Sequence, residues 1–346
     1  MNIKVTVGIP VYNAGKYIEK CVLSVLEQTM EEIELLIIDD HGTDDSMKIV
    51  RQLADTHIRG HIIRIVDNGG NRGVAHARNS ILHEAKGKYI FFLDQDDYVF
   101  PNALQLLYEK AEAMQAEVVW GSYYAEVEAT GERIPHEEHI YENIELIGAD
   151  KLALYDCRDL KQNLQLSVWN ILFRADFFRS NNLLFEPYGH YDDVIMQAKL
   201  RPLVTRAVLM NDITYIWYMH EGSGSNFQYR EHINVKEGID AMDGIRAILD
   251  HCKTLSDKTY YDVWCAKVMK QAFFVFCGVL KHRGQMNEKI GNHQLKEWMQ
   301  HPATLRQILS FKQYKKENLA FWCIGMLPAF LMVSFVSFIG KKKGFI

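Results

Sequence analysis

Three carboxylates crowd the segment Asp94-Gln95-Asp96-Asp97, directly after the apolar run Phe91-Phe92-Leu93. Like charges this close raise one another's pKa unless a cation neutralises them, so a hard divalent ion, Mg2+ or Mn2+, is the economical partner. Held by one or two carboxylates, such an ion completes its shell with phosphate oxygens and neutralises charge on a departing diphosphate. The competing reading is a solvated loop in which Asp96 or Asp97 caps a helix. A second acidic pair, Asp39 and Asp40, ends the apolar run at 35–38, where a carboxylate can accept an N–H from a nucleobase. Asp44, Asp45 and Ser46 follow within a turn and suit helix capping better than chemistry. Their spacing does not match a calcium-binding loop.

Two further stretches carry useful groups. Asn71-Arg72-Gly73 supplies a glycine turn into a helix, and Arg78 lies one turn inside it, where a guanidinium suits phosphate oxygens. A surface position is the plainer alternative for Arg78. Asp192 and Asp193 precede Val194-Ile195-Met196, so one can cap a helix while the other faces a cleft. A carboxylate within reach of an acceptor hydroxyl could take its proton as a new bond forms. His136-Glu137-Glu138-His139 has the wrong spacing for a helix-borne zinc pair and reads as a polar surface loop.

The elements that must hold these groups alternate. Strand-like runs at 5–10, 35–38, 62–66 and 89–93 are separated by helical periodicity near 18–26, 44–54 and 74–86, with a further helix at 102–114 and a strand from 118. This βαβαβαβ order predicts an α/β fold with a doubly wound, mostly parallel central sheet flanked by helices. Ligands of such sheets bind beyond the carboxyl ends of the strands. Asn13, Asp39, Asp40, Asn71 and Asp94 all fall there. The alternation stops after about residue 120, and 263–280 reads as an amphipathic helix.

Composition narrows the class. The chain has 346 residues, 48% of them hydrophobic, and a formal charge of −5, which provides no global basic field for nucleic acid. Six cysteines at 21, 157, 252, 265, 277 and 323 form no CxxC pair, so neither a disulfide framework nor a zinc knuckle is indicated. The opening MNIKVTVGIPVYN lacks the layout of a secretory signal, which predicts a cytoplasmic catalytic part. Phosphate-loop, GxGxxG, HExxH and GxSxG motifs are missing, which weakens kinase, dehydrogenase and esterase readings.

Taken together, Ile9-Pro10-Val11-Tyr12-Asn13, the Asp39 and Asp40 turn, the stretch from Asn71 to Asn79, and Asp94-Gln95-Asp96-Asp97 resemble the family 2 glycosyltransferases. The resemblance spans about residues 3–225, since Ser167-Val168-Trp169-Asn170 and Tyr191-Asp192-Asp193 are similar to later family segments. It implies a GT-A-like fold, a nucleoside-diphosphate sugar donor, Mn2+ or Mg2+, and inversion at the anomeric carbon. Pro10, Tyr12, Asn13, Asn71, Gly73 and Arg78 would line the donor site, with Asp40 on a uracil-like base and Asp39 beside it. Asp94 and Asp96 would form the metal motif, with Asp97 on the donor sugar or metal shell and His220 completing the shell. Asp193 would be the base, although Asp192 stands where the family usually has Glu. Trp169 could stack on a sugar ring or fill the core.

Residues 321–340 form twenty positions without a charge, flanked by Lys315 and Lys316 on one side and by Lys341-Lys342-Lys343 on the other. The length would just span a bilayer, but Pro328 interrupts it and the lysines suit an anionic lipid surface. Lying in the membrane plane, spanning it, and packing into a core are the three readings. The chain accordingly divides into a catalytic domain at 1–230, with a nucleotide-binding half at 1–120 and an acceptor-binding half at 121–230, a helical C-terminal extension at 231–310, and a membrane-associating tail at 311–346. The expected activity is transfer of a sugar, UDP-linked, to a glycan or lipid-linked acceptor hydroxyl at the inner face of the plasma membrane, with no nucleic acid involved. A nucleotidyltransferase of similar fold and a non-catalytic scaffold of a polysaccharide-assembly complex are the rivals.

Overall fold

The computed structural model describes residues 2–128, 130–158, 164–220, 233–286 and 290–346. Two compact units emerge: Met1–Leu152, Gln165–Pro187 and Leu200–Ser223 form one, and Ala153–Leu164, Tyr188–Lys199 and Gly224–Ile346 form the other. The domain boundary expected at 230 lies outside the described residues.

The first unit is built on strands whose composition explains their burial. β1 (Val5–Val11) leads through α1 (Ile18–Leu26) to β2 (Ile33–Asp39), α2 (Ser46–Thr56), β3 (Ile63–Asp67), α3 (Val74–Glu84) and β4 (Tyr89–Phe92). β1, β2 and β4 are almost wholly apolar because parallel strands are covered on both faces. The one hydroxyl within β1, Thr6, is satisfied by donating to Glu34 at 2.7 Å and accepting from the Gly87 amide at 2.8 Å. α1 turns Ile18, Cys21, Val22, Val25 and Leu26 inward, the predicted stripe.

Beyond these come β5 (Tyr98–Val99), α4 (Ala103–Met114), β6 (Val118–Val127), β7 (Arg133–His139), β8 (Ile144–Ile147), α5 (Lys151–Asp156), β9 (Ile171–Arg174), α6 (Ala175–Ser180), α7 (Asp192–Leu200) and β10 (Arg206–Met219), of which α5 and α7 fall mostly in the second unit. The sheet runs β3-β2-β1-β4-β9-β6-β10-β5, with β7 on β6 and β8 on β10. Pairing is parallel from β3 through β4 and between β6 and β10, whereas β9 is antiparallel to both of its neighbours, so the sheet as a whole is mixed. Residues 136–139, expected as a polar loop, belong to β7, which pairs antiparallel with β6 and places His139 opposite Tyr123. An outlying strand needs no apolar alternation, which is why the polar sequence concealed it.

The second unit is helical. α8 (Val235–Lys253) starts with a capping box between Asn234 and Glu237, and α9 (Tyr261–His282) forms its core. Short helices follow: α10 (Asn292–Glu297), α11 (Leu305–Ser310), α12 (Lys315–Met326) and α13 (Ala329–Lys342). Asp262 anchors them by accepting from the amides of Lys312 at 3.2 Å and Gln313 at 2.8 Å. The apolar run 321–340 is not one helix, because Leu327 and Pro328 divide it between α12 and α13. At 12 and 14 residues, these helices fall short of the ~20 residues that cross a bilayer. Among the described residues only α9 meets that length and hydropathy, and it is mostly buried within the protein.

Candidate active site

The loops leaving the carboxyl ends of β1, β2, β3 and β4 in the first unit are bound to one another by side chains, as this sheet edge requires. Gln95 clamps two of them. Its Oε1 accepts from the Tyr12 amide at 2.7 Å and its Nε2 donates to the Tyr12 carbonyl at 3.1 Å, copying a strand-ladder pair. Asn13 takes a left-handed φ of 52° and its Oδ1 accepts from the Thr43 amide at 2.7 Å, joining the β1 loop to the β2 loop. Pro10, near the end of β1, pairs in register with Ile38. Asp44 and Ser46, expected as helix caps, tie down the β1 loop instead: Asp44 accepts from the Gly15 amide at 2.7 Å and Ser46 from the Ala14 amide at 2.8 Å, while Asp45 precedes α2 without a side-chain capping bond.

Asp40 is a buried hub. Its Oδ1 accepts from the Asn68 amide group at 2.6 Å and from the Arg72 backbone at 2.9 Å, while Oδ2 accepts from the Gly73 backbone at 2.9 Å. The carboxylate expected on a nucleobase is therefore turned onto the 68–73 loop. Asp39 is the more outward of the pair, accepting from the His41 amide at 3.0 Å and lying 3.5 Å from Arg51. Gly73, at φ 84° and ψ 165°, occupies a backbone region that only glycine enters freely. It permits the turn that brings the Arg72 and Gly73 amides onto Asp40, and Asn71 is exposed on the same loop.

The three acidic residues after β4 go three ways. Asp94 meets the buried Arg78 at 3.1 Å, which places that guanidinium beside the acidic loop. Asp96 Oδ2 lies 2.8 Å from His220 Nε2, just past the end of β10. Asp97 is buried, with Oδ2 accepting from the Tyr215 hydroxyl at 2.5 Å and Oδ1 from the Tyr218 amide at 2.7 Å. Burial, reinforced by the charges of Asp96 and Asp94, holds its carboxyl well above the ordinary range. The place expected for Asp97, on the donor sugar or metal shell, is thus replaced by an anchor between the acidic loop and β10. Trp169 is likewise core, stacked on Tyr215 with ring centres 4.6 Å apart.

Tyr17 and Gln95 escaped the sequence reading. Tyr17 stacks on His220, with ring centres 4.3 Å apart and an interplanar angle of 27°, and its hydroxyl reaches Glu128 at 3.1 Å. Partial burial, then the hydrogen bond to Glu128, raises the phenol to about 12. No local pattern marks Tyr17, although Gln95 sits inside the acidic motif and could have been recognised as a side chain able to bridge loops. Asp192 and Asp193 open α7 in the second unit, with Asp192 buried and Asp193 partly so.

The donor set suits a hard divalent ion in part. Among the described residues no three His, Cys, Asp or Glu side chains converge as a finished ligand group. The 2.8 Å between Asp96 Oδ2 and His220 Nε2 nevertheless approaches the edge of about 3 Å between adjacent ligands of an octahedral ion with bonds near 2.1 Å. Crowded carboxylates at a strand mouth give such an ion an electrostatic reason to bind.

Comparison with known proteins decides the family. The sequence profile of "Glycosyl transferase family 2" matches residues 6–179, half of the chain, and covers every loop just described up to β9. The chain belongs to glycosyltransferase family 2. Among relatives of this transferase, the glycosyltransferase GlyA of Streptococcus pneumoniae is 29% identical over 245 residues, 69% of this chain. The chain spans only about a third of that protein, 34%. GlyG of the same organism is 28% identical over 230 residues, covering 63% of this chain and 72% of that protein. The crystal structure of Staphylococcus aureus TarS 1-349 in complex with UDP-GlcNAc superimposes with a TM-score of 0.67 at 17% identity, over 99% of this chain and 92% of that one. That likeness establishes a GT-A-like fold that includes the helical C-terminal region. The nucleotidyltransferase and scaffold readings find no support among these relatives.

Proposed function

We propose that this family 2 glycosyltransferase moves a sugar from a nucleoside diphosphate, UDP, to an acceptor hydroxyl with inversion. The observation that carries the reading is the Asp96–His220 pair at the mouth of β4, beside strand-end loops tied to one another by Asp40 and Gln95. The UDP-GlcNAc complex of TarS supports the choice of nucleotide. Asp94, Asp96 and His220 would hold Mn2+ or Mg2+, which neutralises the charge of the leaving diphosphate. Pro10, Tyr12, Asn13, Asp39 and Asn71 would line the donor cleft, with Asp39 now the better candidate for the base because Asp40 faces the loop.

In the reaction, the acceptor oxygen bonds to the anomeric carbon from the face opposite the diphosphate as the carbon–oxygen bond to the diphosphate breaks. Asp193 takes the acceptor proton, with Asp192 beside it. Asp193→Asn is expected to abolish transfer while leaving donor binding intact, and continued turnover in that variant would overturn the assignment. Release of pyrophosphate in place of UDP would instead favour nucleotidyl transfer.

Action at the cytoplasmic face of a membrane, on a glycan or lipid-linked acceptor, is the accompanying reading. α13 buries Ala329, Met332, Val336 and Gly340 and leaves Phe330 61% and Phe338 66% exposed, together with Leu331, Phe335 and the lysines at 341–343. An apolar face ending in cations suits an anionic lipid surface with α13 in its plane.

A further inference from the structure

The geometry points to Tyr17 as a positioning residue for the cation site: its ring holds the imidazole of His220 in the plane that aims Nε2 at Asp96. This inference rests on the reading of Asp96 and His220 as cation ligands.

Three observations carry it. The Tyr17 and His220 rings lie nearly face to face, 4.3 Å apart and 27° from parallel, which restricts the imidazole to rotation within its own plane. The phenol is in turn fixed at both ends. Its backbone amide donates to Ala14 at 2.8 Å at the entry to α1, and its hydroxyl reaches Glu128 at 3.1 Å. Tyr218, on the strand that delivers His220, closes the assembly: its ring meets that of Tyr17 edge-on at 6.1 Å and its hydroxyl reaches the Glu128 carbonyl at 3.4 Å. A histidine one residue beyond a strand end gains from such a wall, because a swing about its side-chain torsions would separate Nε2 from Asp96 and leave two ligands unaligned. Groups that orient metal-binding histidines ordinarily do so by hydrogen bonding, and here an aromatic face does the same work.

Two readouts test this on the full chain. In the metal-free protein, the His220 ring protons, assigned by their disappearance in His220→Gln, should be shifted upfield by the Tyr17 ring current. The shift should vanish in Tyr17→Ala and persist in Tyr17→Phe. Binding of Mn2+ in the presence of UDP, followed by the loss of the free-ion paramagnetic resonance signal, should weaken about 10- to 100-fold in Tyr17→Ala. Tyr17→Phe should recover most of that affinity, and Tyr17→Leu, which keeps apolar bulk without a planar ring, should not. Melting curves establish that each variant is folded. Equal Mn2+ affinity in Tyr17→Ala and the parent, with His220→Gln impaired, would overturn the positioning role alone. Undiminished affinity in His220→Gln would overturn the ligand assignment, and the inference with it.

Discussion

Replacing Asp40 with alanine separates two jobs that a carboxylate at this position could have. The side chain accepts three hydrogen bonds, from Asn68, Arg72 and Gly73, at 2.6, 2.9 and 2.9 Å. A bond to a charged acceptor contributes about 1.5–3 kcal/mol, and a buried donor left without one costs about 1–3 kcal/mol. The Asn68 bond is buried and should count in full, whereas water can reach the loop amides of Arg72 and Gly73 and recover much of theirs. A loss of about 2–4 kcal/mol is therefore expected for Asp40→Ala. Asp40→Asn should cost about 1–3 kcal/mol, since its amide oxygen can replace only one carboxylate oxygen and its NH2 would then face a donor. Urea denaturation measures the loss, and amide hydrogen exchange at Arg72 and Gly73 locates it. If Asp40 served only a nucleobase, UDP affinity would fall with unfolding and exchange unchanged. Stability within about 0.5 kcal/mol of the parent, a normal surface-substitution effect, would refute the clamp.

Further outcomes follow from the same geometry. Asp97 has its folded pKa raised above the unfolded value, so the folded state binds the extra proton and stability should fall as pH rises from about 3.9 toward the folded pKa. Asp97→Asn, which can still accept from the Tyr218 amide, should lack that fall, and denaturation across pH would show it. At Gly121 an added Cβ would lie 1.9 Å from the Thr214 hydroxyl, so Gly121→Ala should cost about 1–3 kcal/mol in thermal unfolding. For the C-terminal helix, replacing Lys341, Lys342 and Lys343 with glutamine should lower binding to phosphatidylglycerol vesicles roughly 100-fold, at about 1 kcal/mol per lysine. Sedimentation unaffected by those changes, or by Phe330→Ser with Phe338→Ser, would count against a lipid-facing α13.

Much of the architecture was legible from local pattern. Apart from the two-residue β5, apolar runs and helical stripes predicted the strands and helices through the start of β6 to within a few residues, because hydrophobic periodicity reflects burial of one stripe or two faces. The position of the acidic residues at strand ends followed from that alternation and from where α/β sheets bind ligands. β7 was missed because a polar outlying strand leaves no such mark.

What the chain alone determined was which residues arrive at the sheet edge, and with them the family. Only tertiary structure decided what each then does. Asp40 and Asp97 are the same residue type as Asp39 and Asp96, yet the former pair is turned inward onto Asn68, Gly73, Tyr215 and Tyr218. Asp96 finds His220 across 124 positions, and Tyr17 meets the same imidazole from the start of α1. Side-chain direction and partner are set by contacts between distant segments, whereas periodicity reports only how one short segment divides its faces between protein and water.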